Sequence, residues 1–322
     1  MALPHRVALV EVGPREGFQY EGIGDPGRIA TADKIRLIDM LGQTGLSCLQ
    51  IVSFVSPKQV PQMADAEAIC AGITRRPGIA YNGIYLNDTG LKRALAAGVL
   101  DIRGKITLAM SETFALRNQK RSLAQDYEMQ RRLAAIYAAE GITVDYGALM
   151  AAFGCNDEGL MPPARVVEFV EKLQAIAAET GSQLATLNLA DTMGWADPEL
   201  VRRVVGAVRG RWPDLRIALH LHDTRGLAIA NVHAALLEGV ELFDTAVGGL
   251  GGCPFAGNTG AAGNVCSEEV VFLCRQLGIE TGVDLDALVE CARFAERMVG
   301  HPLPSKLLTP SLRPRAAAVA AG

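Results

Sequence analysis

The chain has 322 residues, 49% of them hydrophobic and 20% charged, with a formal net charge of −4. These are the values of a soluble globular protein with a large core, long enough for one large domain or two ordinary ones. The charge balance leaves no basic footprint and no Lys/Arg-rich face, which argues against nucleic acid as a partner. No window of about 18–20 residues is free of charge and turn signals, so no membrane partner is expected. The segment Met1 to Arg6 lacks the charged and apolar regions of a signal peptide, and the expected compartment is cytoplasmic. The seven cysteines (48, 70, 155, 253, 266, 274 and 291) form no C-x-x-C pair. An odd count without secretory features points to reduced thiols.

Along the chain, short apolar runs alternate with longer amphipathic segments. Candidate strands cover 7–12, 48–54, 79–86, 101–110, 143–152, 183–189, 216–221 and 242–247. Helical patterns lie between them, near 28–43, 63–74, 88–97, 122–139, 163–180, 197–209 and 227–238. Gly or Pro punctuates several junctions. Eight strands with intervening helices predict an α/β fold of the closed parallel (β/α)8 type, a TIM barrel, which typically takes about 250 residues. The strands are near-continuous apolar runs, as expected when both faces are covered. A doubly wound open sheet is the runner-up, but the first strand is not followed by G-x-G-x-x-G and no dinucleotide is implied. After the eighth run come a glycine-rich loop at 248–263 and helices near 265–277 and 285–299. These read as the last barrel helix and a short C-terminal helical extension. The chain is then a single domain, with its barrel over about 6–280 and the extension over about 281–322. The alanine-rich end from Arg313 is expected to fray.

In such a barrel the chemistry sits at the C-terminal ends of the strands. Strand seven ends in Leu219-His220-Leu221-His222-Asp223-Thr224-Arg225-Gly226. Side chains alternate along a strand, so His220 and His222 point the same way with Cα atoms roughly 6.5–7 Å apart. Two imidazoles so spaced can converge on one divalent metal; the alternative is one buried and one exposed histidine. Strand one ends in Glu11-Val12-Gly13-Pro14-Arg15-Glu16-Gly17, strand two contains Gln50, and strand six ends in Asn188-Leu189-Ala190-Asp191-Thr192. Strand eight runs into Gly248-Gly249-Leu250-Gly251-Gly252-Cys253-Pro254-Phe255, and Asn264 follows. Each has a plainer reading. Arg15 and Glu16 could be a solvated pair, Asp191 and Asn264 could cap the next helices, and Cys253 could be a turn residue. Taken together, a carboxylate, two imidazoles and an amide carbonyl at one rim make a mixed O/N donor set suited to Mg²⁺ or Mn²⁺.

These blocks, with Ser53-Phe54-Val55-Ser56-Pro57-Lys58 and Val60-Pro61-Gln62-Met63, resemble the 3-hydroxy-3-methylglutaryl-coenzyme A lyase family over roughly residues 7–290. The Gly-Leu-Gly-Gly-Cys-Pro-Phe loop is the most specific of them. The resemblance implies metal ligands at Glu16, His220, His222 and Asn264, with Glu16 standing where the family usually carries Asp. It implies an oxyanion-stabilising Arg15, an acid/base Asp191, a thiol at Cys253 on a mobile loop, and a supporting carboxylate at Glu268. The implied reaction is retro-Claisen cleavage of a 3-hydroxy-3-methylglutaryl-CoA-like thioester to acetyl-CoA and a keto acid. Coenzyme A would enter as part of the substrate, with Arg117, Lys120 and Arg121 as candidates for its nucleotide end. Three positions depart from the family: Gln50 replaces a Glu, Gly22 a cation, and the Val144-Asp145-Tyr146-Gly147 stretch an Arg. A lyase for a citramalyl- or methylmalyl-type thioester, a synthase, and a CoA-binding homologue without activity are the competing readings. A homo-oligomer is also expected.

Overall fold

A computed structural model describes residues 3–21, 25, 29–252 and 263–309. Eight parallel strands form one sheet: β1 (Ala8–Glu11), β2 (Cys48–Ser53), β3 (Ala80–Ile84), β4 (Gly104–Ala109), β5 (Val144–Met150), β6 (Thr186–Asp191), β7 (Arg216–Leu221) and β8 (Leu242–Thr245). Their order is β3-β2-β1-β8-β7-β6-β5-β4. The first strand therefore pairs with the last, Ala8 through Glu11 against Leu242 through Thr245. Every other ladder joins neighbours in sequence. That cyclic order is a barrel and excludes the doubly wound alternative. Among the described residues β3 and β4 share no ladder, and short polar bonds close the seam. Asp101 and Tyr81 exchange N–H contacts, each 2.8 Å, and the Tyr85 hydroxyl donates to the Arg103 carbonyl at 2.7 Å.

The helices lie close to the amphipathic stretches of the sequence: α1 (Thr31–Leu41), α2 (Ala66–Gly72), α3 (Asp88–Ala97), α4 (Glu112–Gln119), α5 (Leu123–Ala139), α6 (Pro163–Glu179), α7 (Pro198–Arg211), α8 (Ala228–Leu237), α9 (Ser267–Gln276) and α10 (Leu285–Val299). Local chemistry sets their ends. Ser122 and Gln125 form a reciprocal capping box at α5, while Asp197 accepts from two backbone N–H groups at the start of α7. α10 starts under the Asp284 carboxylate and stops at Gly300 in the left-handed region. α4 leaves no periodic signature in the sequence, because its eight residues carry no long apolar period. It rests instead on Ser111, whose Oγ accepts the Phe114 N–H at 3.1 Å.

All six residues of β6 are buried, including the polar Thr186, Asn188 and Asp191, as expected of a strand covered on both faces. The chain returns to its own beginning after α9: Val7 N–H donates to Glu280 O and Glu280 N–H to His5 O. An isolated parallel bridge joins Arg6 to Glu280. α10 then packs on α1 and on the turn that follows β8. Among the described residues no helix is long and apolar enough to cross a membrane. The six described cysteines are free. Cys253, Gly22 and the tail from Arg313 lie outside the described residues.

Candidate metal centre and acyl pocket

The residues after β1 do not run on as a simple loop. Val12 O accepts the N–H groups of both Arg15 and Glu16, at 3.1 and 2.8 Å, and Gly13–Gly17 winds as a single π-helical turn. Such turns recur at functional sites because they re-aim side chains at little cost in length. The turn is anchored from below by Glu11, whose Oε1 accepts the N–H groups of Gly13 and Val247. Gly17 must lack a side chain, since a Cβ there would fall 2.6 Å from Leu250 Cβ. Glu16 is thereby directed at the mouth of the barrel.

There it meets the paired imidazoles. Glu16 Oε1 lies 3.4 Å from His220 Nε2 and 3.2 Å from His222 Nε2, and the two Nε2 atoms are 3.1 Å apart. Both rings therefore face one point, as period-two alternation predicts, and the reading of one buried and one exposed histidine is set aside. An octahedral dication with bonds of about 2.0–2.2 Å has cis donors about 3 Å apart, so this triangle matches one face of such a shell. The three residues are the group of acidic and imidazole side chains able to hold a metal ion among the described residues.

Asn264 arrives by a separate device. Residues 263–267 thread between the ends of β7 and β8: Val265 N–H donates to Leu221 O, Asp223 N–H to Gly263 O, and Ala246 N–H to Val265 O. Asn264 is bridged directly to His222. Its Oδ1 is buried without a hydrogen-bond partner, a costly state for a carbonyl oxygen that a cation would relieve. Glu16 Cγ and Asn264 Nδ2 both flank the space that a Cβ on Gly251 would occupy. The donor set thus fits a hard dication. Asn264 is not the helix cap that its position allowed; α9 is preceded by Cys266 with no side-chain cap.

Charge around the triangle is balanced. Burial alone would push Glu16 up, but His220 and Arg15 hold its carboxyl well below the usual range. Burial likewise pulls His220 down, and Glu16 and the Asp244 hydrogen bond more than reverse it, to about 9. Asp244 on β8 is a residue that sequence reasoning missed. Its Oδ2 lies 3.2 Å from His220 Nδ1, which fixes the ring and leaves Nε2 for the centre. A lone acid inside Leu242-Phe243-Asp244-Thr245 was the available signal. The same oxygen accepts from Asn188 Nδ2 at 2.8 Å, and that nitrogen also meets the Tyr146 hydroxyl at 3.0 Å.

Arg15 and Gln50 come together as a unit: Arg15 Nε donates to Gln50 Oε1 at 2.5 Å and Nη2 to Glu16 Oε2 at 2.8 Å. The solvated-pair reading of Arg15 and Glu16 fails, because both are mostly buried. Asp191 is fully buried at the end of β6 and does not cap α7; Asp197 does. Its two oxygens accept the N–H groups of Trp195 and Ala196, at 2.7 and 3.0 Å. Burial raises its carboxyl to about 6, against the lowering effect of those two bonds and of His222. Arg225 clamps this loop to the next by donating to the carbonyls of Met193 and Gly194.

Glu268 stands apart from the triangle's donors. Both its oxygens accept the Gly248 N–H at 3.1 Å, beneath the glycine turn that leads into the cysteine loop. Burial raises both Glu268 and Glu11 to about 7. Arg117 and Arg121 already have acidic partners, Asp157 at 2.8 Å and Asp126 at 3.8 Å, while Lys120 sits exposed at the left-handed end of α4.

A parallel barrel carrying a Glu/His/His triangle and a buried amide at its C-terminal rim defines a metal-site lyase or synthase class. Comparison with known proteins narrows it. The sequence model of the HMGL-like family matches residues 6–295. The hydroxymethylglutaryl-CoA lyase of Bacillus subtilis is 38% identical, with 96% of this chain and 98% of that one aligned. A Pseudomonas aeruginosa enzyme described as a 3-hydroxy-3-isohexenylglutaryl-CoA/hydroxymethylglutaryl-CoA lyase is 41% identical over 91% of this chain and 93% of its own. Among solved structures, an Acinetobacter baumannii HMG-CoA lyase in complex with coenzyme A and 3-methylmalate superposes with a TM-score of 0.83 at 36% identity, covering 98% of this chain and 99% of that one. The chain belongs to the 3-hydroxy-3-methylglutaryl-CoA lyase family and is a carbon–carbon lyase.

Proposed function

We propose that this chain cleaves a 3-hydroxy-3-methylglutaryl-CoA-type thioester to acetyl-CoA and acetoacetate, with Mg²⁺ or Mn²⁺ held by Glu16, His220, His222 and Asn264. The observation that carries the reading is the triangle of Glu16 and the two imidazoles beside the unpartnered Asn264 carbonyl. A bound dication supplies Lewis acidity toward the C3 hydroxyl and a neighbouring oxygen of the substrate.

The remaining chemistry belongs to the chain. Arg15, fixed at Nε by Gln50 and at Nη2 by Glu16, presents its guanidinium to the oxygen at C3 as charge develops there. Gln50 cannot accept a proton as a carboxylate would, so its part is orientation. Asp191, or a water it positions, receives the hydroxyl proton. A pKa of about 6 suits a base near neutral pH, and each oxygen keeps a lone pair beyond its backbone bond. As the C3 oxygen forms a carbonyl, the C2–C3 electron pair passes to the thioester enolate. Cys253 then protonates that carbon: a thiol with an ordinary pKa near 8.5 is mostly protonated at neutral pH. Glu268 supports the turn from which the cysteine loop departs. Lys120, without an acid partner among the described residues, is the first candidate for the coenzyme's phosphates, with Arg117 and Arg121 behind it.

A second reading, a lyase for a different 3-hydroxyacyl thioester such as the citramalyl or methylmalyl type, rests on Gln50 and on the absence of cations at Gly22 and in the Val144-Asp145-Tyr146-Gly147 stretch. A panel of 3-hydroxyacyl-CoA thioesters, assayed for the acyl-CoA and the carbonyl product released with Mg²⁺ or Mn²⁺ and again after chelation, separates the two. Acetyl-CoA and acetoacetate from the methylglutaryl thioester, lost on chelation, is the expected result. Release from no member of the panel would sink both readings.

A further inference from the structure

Among the described residues the barrel holds a cation without an ion-pair partner that the reaction above does not use. Lys105 lies on β4, opposite Tyr146 in the ladder, and its Nζ is 5.0 Å from the centre of the Tyr146 ring. That ring's hydroxyl meets Asn188, Asn188 meets Asp244, and Asp244 meets His220, so Lys105 shares one polar wall with the metal centre. The neighbouring cations are engaged: Arg103 with Asp145 at 2.6 Å, and Arg15 with Glu16. Asp244 is already taken by His220 and Asn188. Lys105 forms no ion pair among the described residues. An ammonium taken largely out of water without a counter-ion is unfavourable unless a ligand supplies the anion. Burial lowers its pKa; Asp244 and Glu16 pull it upward, while Arg15 and Arg103 push it further down.

We propose that Lys105 is the specificity-determining cation of the acyl pocket: its ammonium takes the free carboxylate of the substrate's acyl group, which lies along the face of Tyr146. The inference rests on the thioester reading above and deepens it. The metal corner handles the hydroxyl and thioester end, and Lys105 selects acyl groups that end in a carboxylate. Lysine suits the task as a compact point charge on a stem long enough to follow substrates of different 3-substituent. Arginine offers the same charge in a bulkier fork.

The test compares 3-hydroxy-3-methylglutaryl-CoA with the analogue whose distal carboxylate is a primary amide, using metal-loaded full-length protein. Wild type should prefer the acid by about 30-fold or more in kcat/KM, the scale of a desolvated charge pair. Lys105→Met should erase that preference, mainly through KM, with metal content unchanged. Lys105→Arg should restore most of it, which a merely structural role would not do. An unaltered acid-over-amide ratio in Lys105→Met overturns the proposal. Should wild type cleave neither thioester, the reaction assigned above is wrong, and Lys105 is judged by calorimetric binding of 3-hydroxy-3-methylglutarate to the metal-loaded protein. A loss of about 30-fold in Lys105→Met supports it there; equal affinity, or no binding to either protein, overturns it.

Discussion

The two walls of this barrel are built on different terms. At the β1/β7/β8 side, three of the four donors are fixed twice: Glu16 by a π-turn and by Arg15, His220 by its strand and by Asp244, Asn264 by a bridge on one side and Val265 on the other. At the β4/β5/β6 side, Lys105 and Arg103 are set 5.0 and 4.8 Å from the centre of one aromatic ring, and Lys105 has no ion-pair partner among the described residues. On the proposed reaction the first wall would fix which bond breaks and the second would meet the acyl group, so that chemistry is over-determined and recognition rests on a few side chains.

Breaking the first wall should have the larger consequence. His222→Ala removes one vertex of the triangle and should abolish stoichiometric metal, seen by direct metal analysis, with turnover down about a thousandfold or more. Full metal retention would detach the imidazole pair from the centre. Cys253→Ser should come next, with turnover falling by about 10²–10⁴ while metal content holds, because only the proton donor is altered. Unchanged turnover would remove the thiol from the reaction. Asp244→Asn tests the joint between the walls. It keeps the shape but weakens the grip on His220 Nδ1, and metal affinity should fall about 10–100-fold in a chelator competition. An unchanged affinity would mean that the strand alone orients the ring.

The same asymmetry governs what could be read from sequence. All eight strands were legible because a strand covered on both faces is a continuous apolar run, and the histidine pair was legible because alternation is strictly two. Glu16 was legible as a residue, but its aim depends on two N–H groups sharing Val12 O, which no local pattern announces. Asn264 was legible as a candidate donor, but not its route: the threading of 263–267 between two strand ends joins residues far apart in the chain. Asp244 and Lys105 were missed for one reason. Each is a single polar residue inside a strand, and its meaning lies in the residue opposite, His220 for one and Tyr146 for the other, which depends on ladder register. Asp191 was given helix capping as its plainer reading, yet its partners sit in the loop before the cap.

Over-determination at the first wall carries a cost in stability, and pH exposes it. Glu11 and Glu268 are fully buried beneath the metal corner, and burial raises each to about 7 from an ordinary 4.5. A group with a raised pKa in the folded state stabilises that state most while protonated, below its unfolded value. That contribution is lost as pH climbs toward 7. Urea midpoints of wild type should therefore fall between pH 5.5 and 7, with about 1–2 kcal/mol of the change belonging to Glu11. Glu11→Gln keeps an oxygen for the Gly13 and Val247 N–H groups and an amide for Ser267, yet has no proton to lose. Its stability should be flatter over the same window, while Lys105→Met, on the other wall, should leave the wild-type slope in place. If Glu11→Gln and wild type show the same slope, the carboxyl pair is not what the metal corner costs.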